Sequence, residues 1–196
     1  MLPLFFIPEI SDSASLTVAG DEAHHAITVT RLSVGERVTL SDGAGSWATG
    51  SIESIDKKSF TVSITDHGHT EISSPRLIVV QALPKSERVK EAIELMVEAG
   101  ADTIIPWAAA RSISKWQSDA REKWQMTAQT AAKQSRRTYI PKVGEIHSSK
   151  DVAALSLAGS TVLVLHEEGS VAISSINTEE LQKSSEIFLV IGPEGG

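Results

Sequence analysis

Three clusters of residues have types and spacings suited to chemistry. Near the C-terminal end of the sequence the apolar run Ile187 to Ile191 leads into Gly192-Pro193-Glu194-Gly195-Gly196. Three glycines in so short a loop let the main chain approach a ligand closely, Pro193 fixes the turn, and a loop following a buried strand is where α/β proteins hold ligands. The loop lacks both the spacing of a dinucleotide fingerprint and the lysine of a Walker loop, and an ordinary strand-to-helix turn has a similar composition. The second cluster, His166-Glu167-Glu168-Gly169, follows another apolar run, Thr161 to Leu165. The third is Gln134-Ser135-Arg136-Arg137, whose two guanidiniums are forked donors able to grip phosphate, and which equally suit the negative end of a helix dipole.

Charge separates these clusters from their surroundings. The 196-residue chain carries a net charge of −7. Yet Arg111, Lys115, Arg121, Lys123, Lys133, Arg136, Arg137 and Lys142 face only Asp119 and Glu122 within their own segment. A concentrated basic stretch on an acidic protein can engage a polyanion locally while the remainder discourages indiscriminate binding, and the same pattern also fits a solvated helix face. Trp107, Trp116 and Trp124 lie in or beside it. Trp124 shares a face with alanines and reads as core, Trp107 follows a buried strand, and Trp116 is the freer candidate for stacking. The chain contains no cysteine, which removes disulfides, thiolate catalysis and sulfur-ligated metals and fits a reducing cytoplasm. His24-His25 and His67-Gly68-His69 have no partner set with zinc spacing, so no metal is expected; His67 and His69 read as turn residues. No apolar run approaches membrane-spanning length.

The elements that must position these clusters fall into two groups. Leu16–Val18, Arg37–Leu40, Trp47–Ile55 and Ser59–Thr65 read as short strands of a small barrel or sandwich, with a helix at Asp21–Ile27 that Asp21 is expected to cap. Turn residues from Asp66 to Pro75 mark a boundary, giving domains over 1–72 and 73–196. Beyond it strands alternate with helices: Leu77–Leu83, a helix over Ser86–Ala99 closed by Gly100, Thr103–Ile105, a helix over Asp119–Ser135 with Asp119 and Glu122 at capping-box spacing, Lys142–Ile146, a helix over Lys150–Leu157, Thr161–Leu165, a helix over Thr178–Lys183, and Ile187–Ile191. That alternation predicts a mostly parallel α/β sheet with ligands outside the carboxyl ends of its strands.

Taken together, Phe5-Phe6, His24-His25, Arg31, Leu83-Pro84-Lys85 with Arg88, Glu98-Ala99-Gly100, Ala132 to Arg137 with Pro141, His166-Glu167 and Ile191 to Gly196 resemble the RsmE-type ribosomal RNA methyltransferases over the whole chain. The resemblance implies a PUA-like β-barrel that helps hold RNA, preceding an α/β SPOUT methyltransferase domain threaded into a trefoil knot. It implies a cytoplasmic homodimer using S-adenosylmethionine to methylate N3 of one uridine in small-subunit ribosomal RNA. By the same resemblance Leu165, His166, Glu167, Ile191, Gly192, Pro193, Glu194, Gly195 and Gly196 line the cofactor pocket. His25, Arg31, Lys85, Arg88, Arg111, Lys115, Gln134, Arg136 and Arg137 meet RNA. Arg137 and Arg136 are the expected catalytic arginines, with Glu194 as general base.

The chain departs from the family at Leu4 and Leu95, where members commonly carry a basic residue and a lysine. The family continues beyond the glycine loop through a helix to a Leu-Gly-x-x-Ile-Leu-Arg-like motif, so the sequence is expected to be cut short at Gly196. Rival readings are a SPOUT methyltransferase of another RNA or of a ribose hydroxyl, and a non-catalytic RNA-binding protein.

Overall fold

The computed structural model describes residues 2–155, 159–166 and 168–193. Its chain divides into two compact units, Met1–Glu71 with Ala132–Ile140, and Ile72–Ala131 with Pro141–Gly196.

In the first unit β1 (Leu4–Phe6), β2 (Ser15–Ala19), β3 (Arg37–Ser41), β4 (Ser46–Ile55) and β5 (Ser59–His69) form one sheet in the order β1-β3-β4-β5-β2. All neighbours are antiparallel except β1 and β3. Alternation along β3 and β5 sends Val38, Leu40, Phe60 and Val62 to one core, where Phe5 meets Phe60 edge-to-face at 5.5 Å. Helix α1 (Gly20–Thr28) adds Ala23 and Ala26, three residues apart and both buried. Each large side chain so buried contributes about 1.5–3 kcal/mol.

Three local expectations for this unit are corrected. Helix α1 starts one residue early, its N-cap is Ala19 with no side-chain cap, and Asp21 lies in the first turn, where its charge still favours the dipole. Strand β5 does not stop at Thr65. Pairing with β4 carries it through His67, Gly68 and His69, because Trp47 stands opposite Gly68 and covers it; a Cβ there would come within 2.7 Å of the indole. Strand β1 was not anticipated, being three residues between prolines.

The second unit holds β6 (Arg76–Ala82), α2 (Val89–Glu98), β7 (Thr103–Ala108), α3 (Ala120–Gln134), β8 (Lys142–Val143), β9 (His147–Ser148), α4 (Ser149–Ala153), β10 (Ser160–Leu165), α5 (Thr178–Leu181) and β11 (Glu186–Ile191). The last three residues of α3 belong to the first unit. The sheet is parallel throughout, ordered β10-β11-β6-β7-β8 with β9 also beside β7. Ile78, Val80, Phe188 and Val190 pack with Val152, Leu155 and Val162, while α2 buries Ile93, Met96 and Val97.

Buried Asp102 ties the strand starts together: its carboxylate accepts from the Leu77 amide at 2.9 Å, and its carbonyl accepts from the Lys142 amide at 3.2 Å. Helix α3 holds the next segment by side chains, Gln125 donating to the Pro141 carbonyl and accepting from the Val143 amide.

Here too the sequence reading needs correction. The strand expected over Lys142–Ile146 is two short ones, β8 and β9. Helix α4 is shorter than Lys150–Leu157 and opens with a reciprocal cap, Ser148 with Asp151. Asp119 pairs with Lys123 at 2.7 Å, and the hydrogen bond from that ammonium holds the Asp119 carboxyl below the usual carboxylate range.

Candidate active site

In the parallel sheet the chain runs outward from β6 to β7 and β8 and later returns to the other side of β6 for β10 and β11, so that β11 and β6, far apart in sequence, lie side by side. The register levels three strand ends, with Leu165 opposite Ile191 and Ile191 opposite Gln81. Beyond those ends lies a crevice of about 260 Å³ lined by Gln81, Ala82, Pro84, Arg88, Ile191, Gly192 and Pro193 among others. A Cβ built on Gly192 would meet nothing within 4 Å, so this backbone faces open space. Beside β10 a wider hollow of about 630 Å³ is walled by Leu165, His166, Gly169, Val171 and Ile173. Val164 and Val171 are about two-thirds exposed, at 67% and 68%, an apolar wall of the kind that covers a flat heterocycle. The Glu168 amide donates to Nδ1 of His166 at 3.1 Å, which leaves the proton of the neutral ring on Nε2.

The arginine pair sits in the first unit, on the turn that ends α3. The Arg136 amide donates to the Lys133 carbonyl at 3.2 Å and the Arg137 amide to the Ala132 carbonyl at 2.9 Å, with Arg136 left-handed at φ 57°. These are the two bonds of a Schellman ending, whose left-handed position is ordinarily glycine. Helix α2 ends by the same two bonds, Gly100 to Val97 and Ala101 to Met96, and there the left-handed residue is Gly100 at φ 96°. The left-handed region costs a side-chain-bearing residue about 1 kcal/mol or more, so a guanidinium at position 136 is placed against local preference.

Residues 71–196 match the model of an RNA methyltransferase domain, and residues 18–65 that of an RNA methyltransferase PUA domain. The ribosomal RNA small subunit methyltransferase E of Mycobacterium bovis is 38% identical over 98% of this chain and 76% of its own length. The chain belongs to the RNA methyltransferase family. Its fold is that of a solved ribosomal RNA small subunit methyltransferase E from Neisseria gonorrhoeae, bound to S-adenosyl methionine, with a TM-score of 0.81 at 24% identity over 100% of this chain and 81% of that one. A probable rRNA-methyltransferase from Porphyromonas gingivalis superposes with a TM-score of 0.74 at 28% identity, over 99% and 81% of the two chains.

Within this PUA-like and α/β architecture, Leu165, His166, Ile191, Gly192 and Pro193 lie at the level ends of β10 and β11; Arg88 shares the crevice with Ile191, Gly192 and Pro193, while Leu165 and His166 wall the hollow beside β10. Glu167, Glu194, Gly195 and Gly196 lie outside the described residues. Lys85 follows β6, while Arg111 and Lys115 follow β7, all exposed. Lys115 borders a separate hollow of about 270 Å³ beside Trp116. Trp116 is less free than expected, being packed edge-to-face on Trp124 at 5.3 Å. His25, Arg31, Gln134, Arg136 and Arg137 all belong to the first unit.

The basic segment is also less available than its composition suggests. Arg121 pairs with Glu145, Lys123 with Asp119, and Lys133 with Glu22. Gln81, missed in the sequence, lines the crevice with its amide donating to the Ala82 carbonyl at 2.9 Å; a lone polar residue inside an apolar strand was the available signal.

Proposed function

We propose that this protein transfers the methyl group of S-adenosylmethionine to N3 of a uridine in small-subunit ribosomal RNA, working in the cytoplasm as a homodimer whose C-terminal segment is knotted. The observation that carries the reading is the crevice beyond the adjoining strands β6 and β11, where the ends of β6, β10 and β11 stand level and Gly192 faces open space. A nucleoside suits those residues: an apolar wall at Leu165 for its base, and main chain at Ile191–Pro193 and His166 for its polar edges. The family membership and the names of the relatives agree with it. No helix among the described residues is long and apolar enough to cross a membrane.

Bound there, the cofactor supplies a methyl group already activated on a sulfonium. The chain has two remaining tasks. Uridine N3 holds its proton near neutral pH, so a base must remove it, and Glu194 is the candidate. The uracil anion and adjoining phosphates need fixed cations, and Arg137, then Arg136 and Arg111, fill that role.

Arg137→Ala in the full-length protein is the test. Methyl incorporation into small-subunit RNA should be lost while calorimetric titration returns nearly unchanged S-adenosylmethionine affinity. Unchanged turnover would remove Arg137 from the site, and no cofactor binding by the parent protein would leave a non-catalytic RNA-binding protein as the better reading.

A further inference from the structure

We infer that Lys133 is a positioning residue, which with Glu22 and Phe5 clamps the last turn of α3 so that Arg136 and Arg137 are presented in one fixed direction. The Lys133 ammonium lies 2.5 Å from a Glu22 carboxylate oxygen and 4.9 Å from the centroid of the Phe5 ring. The two charged side chains are only 18% and 25% exposed. Exposed ion pairs contribute little, but a pair withdrawn this far from water, with one partner also on an aromatic face, holds its geometry. Phe5 is itself fixed, buried in the core against Phe60. Lys133 is therefore not presented as a phosphate contact, although it belongs to the basic run that ends in the two arginines.

The chain is anchored again immediately after them. The Thr138 carbonyl accepts from Ser41 Oγ at 2.9 Å and from the Gly45 amide at 3.1 Å, and the Ile140 amide donates to the Gly43 carbonyl at 2.9 Å. Gly43 is left-handed at φ 73°, a conformation that strains any residue with a side chain, and a Cβ there would crowd the end of the Ile140 side chain at 2.5 Å, so glycine favours this seating. Arg136 and Arg137 thus lie between two points of attachment to the same β-sheet unit. Ordering them in advance removes a loss of freedom that RNA binding would otherwise impose.

This inference rests on the reading of the arginine turn as an RNA contact, and its test separates the two. Full-length Glu22→Gln, Lys133→Met, the exchange Glu22→Lys with Lys133→Glu, and Arg137→Ala are compared for affinity toward small-subunit RNA as a function of salt, for S-adenosylmethionine affinity and for thermal stability. The clamp predicts that Glu22→Gln weakens RNA binding by about tenfold although it removes a repelling negative charge, with cofactor affinity within about twofold, and that the exchange restores binding. It predicts too that Lys133→Met leaves the slope of log affinity against log salt unchanged, whereas a lost phosphate contact lowers it by about 0.9. RNA affinity that is equal or higher in Glu22→Gln overturns the clamp, even if the exchanged variant does not fold. If Arg137→Ala also binds RNA normally, the RNA reading of the turn falls with it; if only Arg137→Ala is impaired, the clamp alone is wrong.

Discussion

The amide of Arg137 donates to the carbonyl of Ala132 at 2.9 Å, closing a turn in which Arg136 occupies the left-handed position that Gly100 occupies at the end of α2. Arg136→Gly should therefore leave the protein equally stable, or more stable by up to about 1 kcal/mol, the relief of strain being partly offset by the greater freedom of glycine in the unfolded chain. Urea unfolding checks the stability, and methyl incorporation into small-subunit RNA should fall in the same variant. A variant that is both destabilised and fully active would mean that the arginine serves the fold.

Gly100 supplies the reverse case. Alanine there meets no neighbour within 4 Å but must adopt φ 96°, so Gly100→Ala should cost about 1–2 kcal/mol of stability through backbone strain alone. Thermal unfolding reads the loss, and S-adenosylmethionine affinity should be unaffected at temperatures where the protein is folded.

At the crevice the expectation differs again. Because a Cβ at Gly192 points into open space, Gly192→Val should fold normally and lose at least about tenfold in cofactor affinity as the side chain fills room meant for the ligand. Calorimetric titration beside a melting curve distinguishes this from general destabilisation. Unchanged affinity would move the ligand away from the end of β11.

Most strands and helices were legible because their apolar period switches from two to near four across the boundary at residues 66–75. What escaped was decided by partners distant in sequence. His67-Gly68-His69 has turn composition, yet Trp47 across the sheet draws it into β5. The left-handed arginine could not be read from the sequence, since nothing local in Lys133 to Arg137 favours that conformation. Likewise Lys133 looked like one more cation until the fold brought Glu22, 111 residues away, beside it.

Asp102 was silent in the sequence and should be costly to change. Asp102→Ala leaves the Leu77 amide without its carboxylate partner, and a buried unsatisfied donor costs about 1–3 kcal/mol. Chemical denaturation should show that loss, with methyl transfer per folded molecule little altered.

The Ser148 hydroxyl, followed by the Ser148 amide, donates to Asp151 and holds its carboxyl below the ordinary carboxylate range. A folded value below the unfolded one means that the cap contributes fully above about pH 4 and is lost as acid protonates the folded group. Protection of the α4 amides, taken relative to intrinsic exchange at each pH, should fall on acidification below that point, and Asp151→Asn should abolish that pH dependence while lowering protection near neutral pH.

The central claim is tested most directly by incubating the full-length protein and methyl-labelled S-adenosylmethionine with small ribosomal subunits from cells lacking it, then digesting the RNA for mass spectrometry. One labelled N3-methyluridine per small-subunit RNA, absent with Arg137→Ala, is the predicted result. No transferred label, or label confined to a ribose or to large-subunit RNA, would contradict the account.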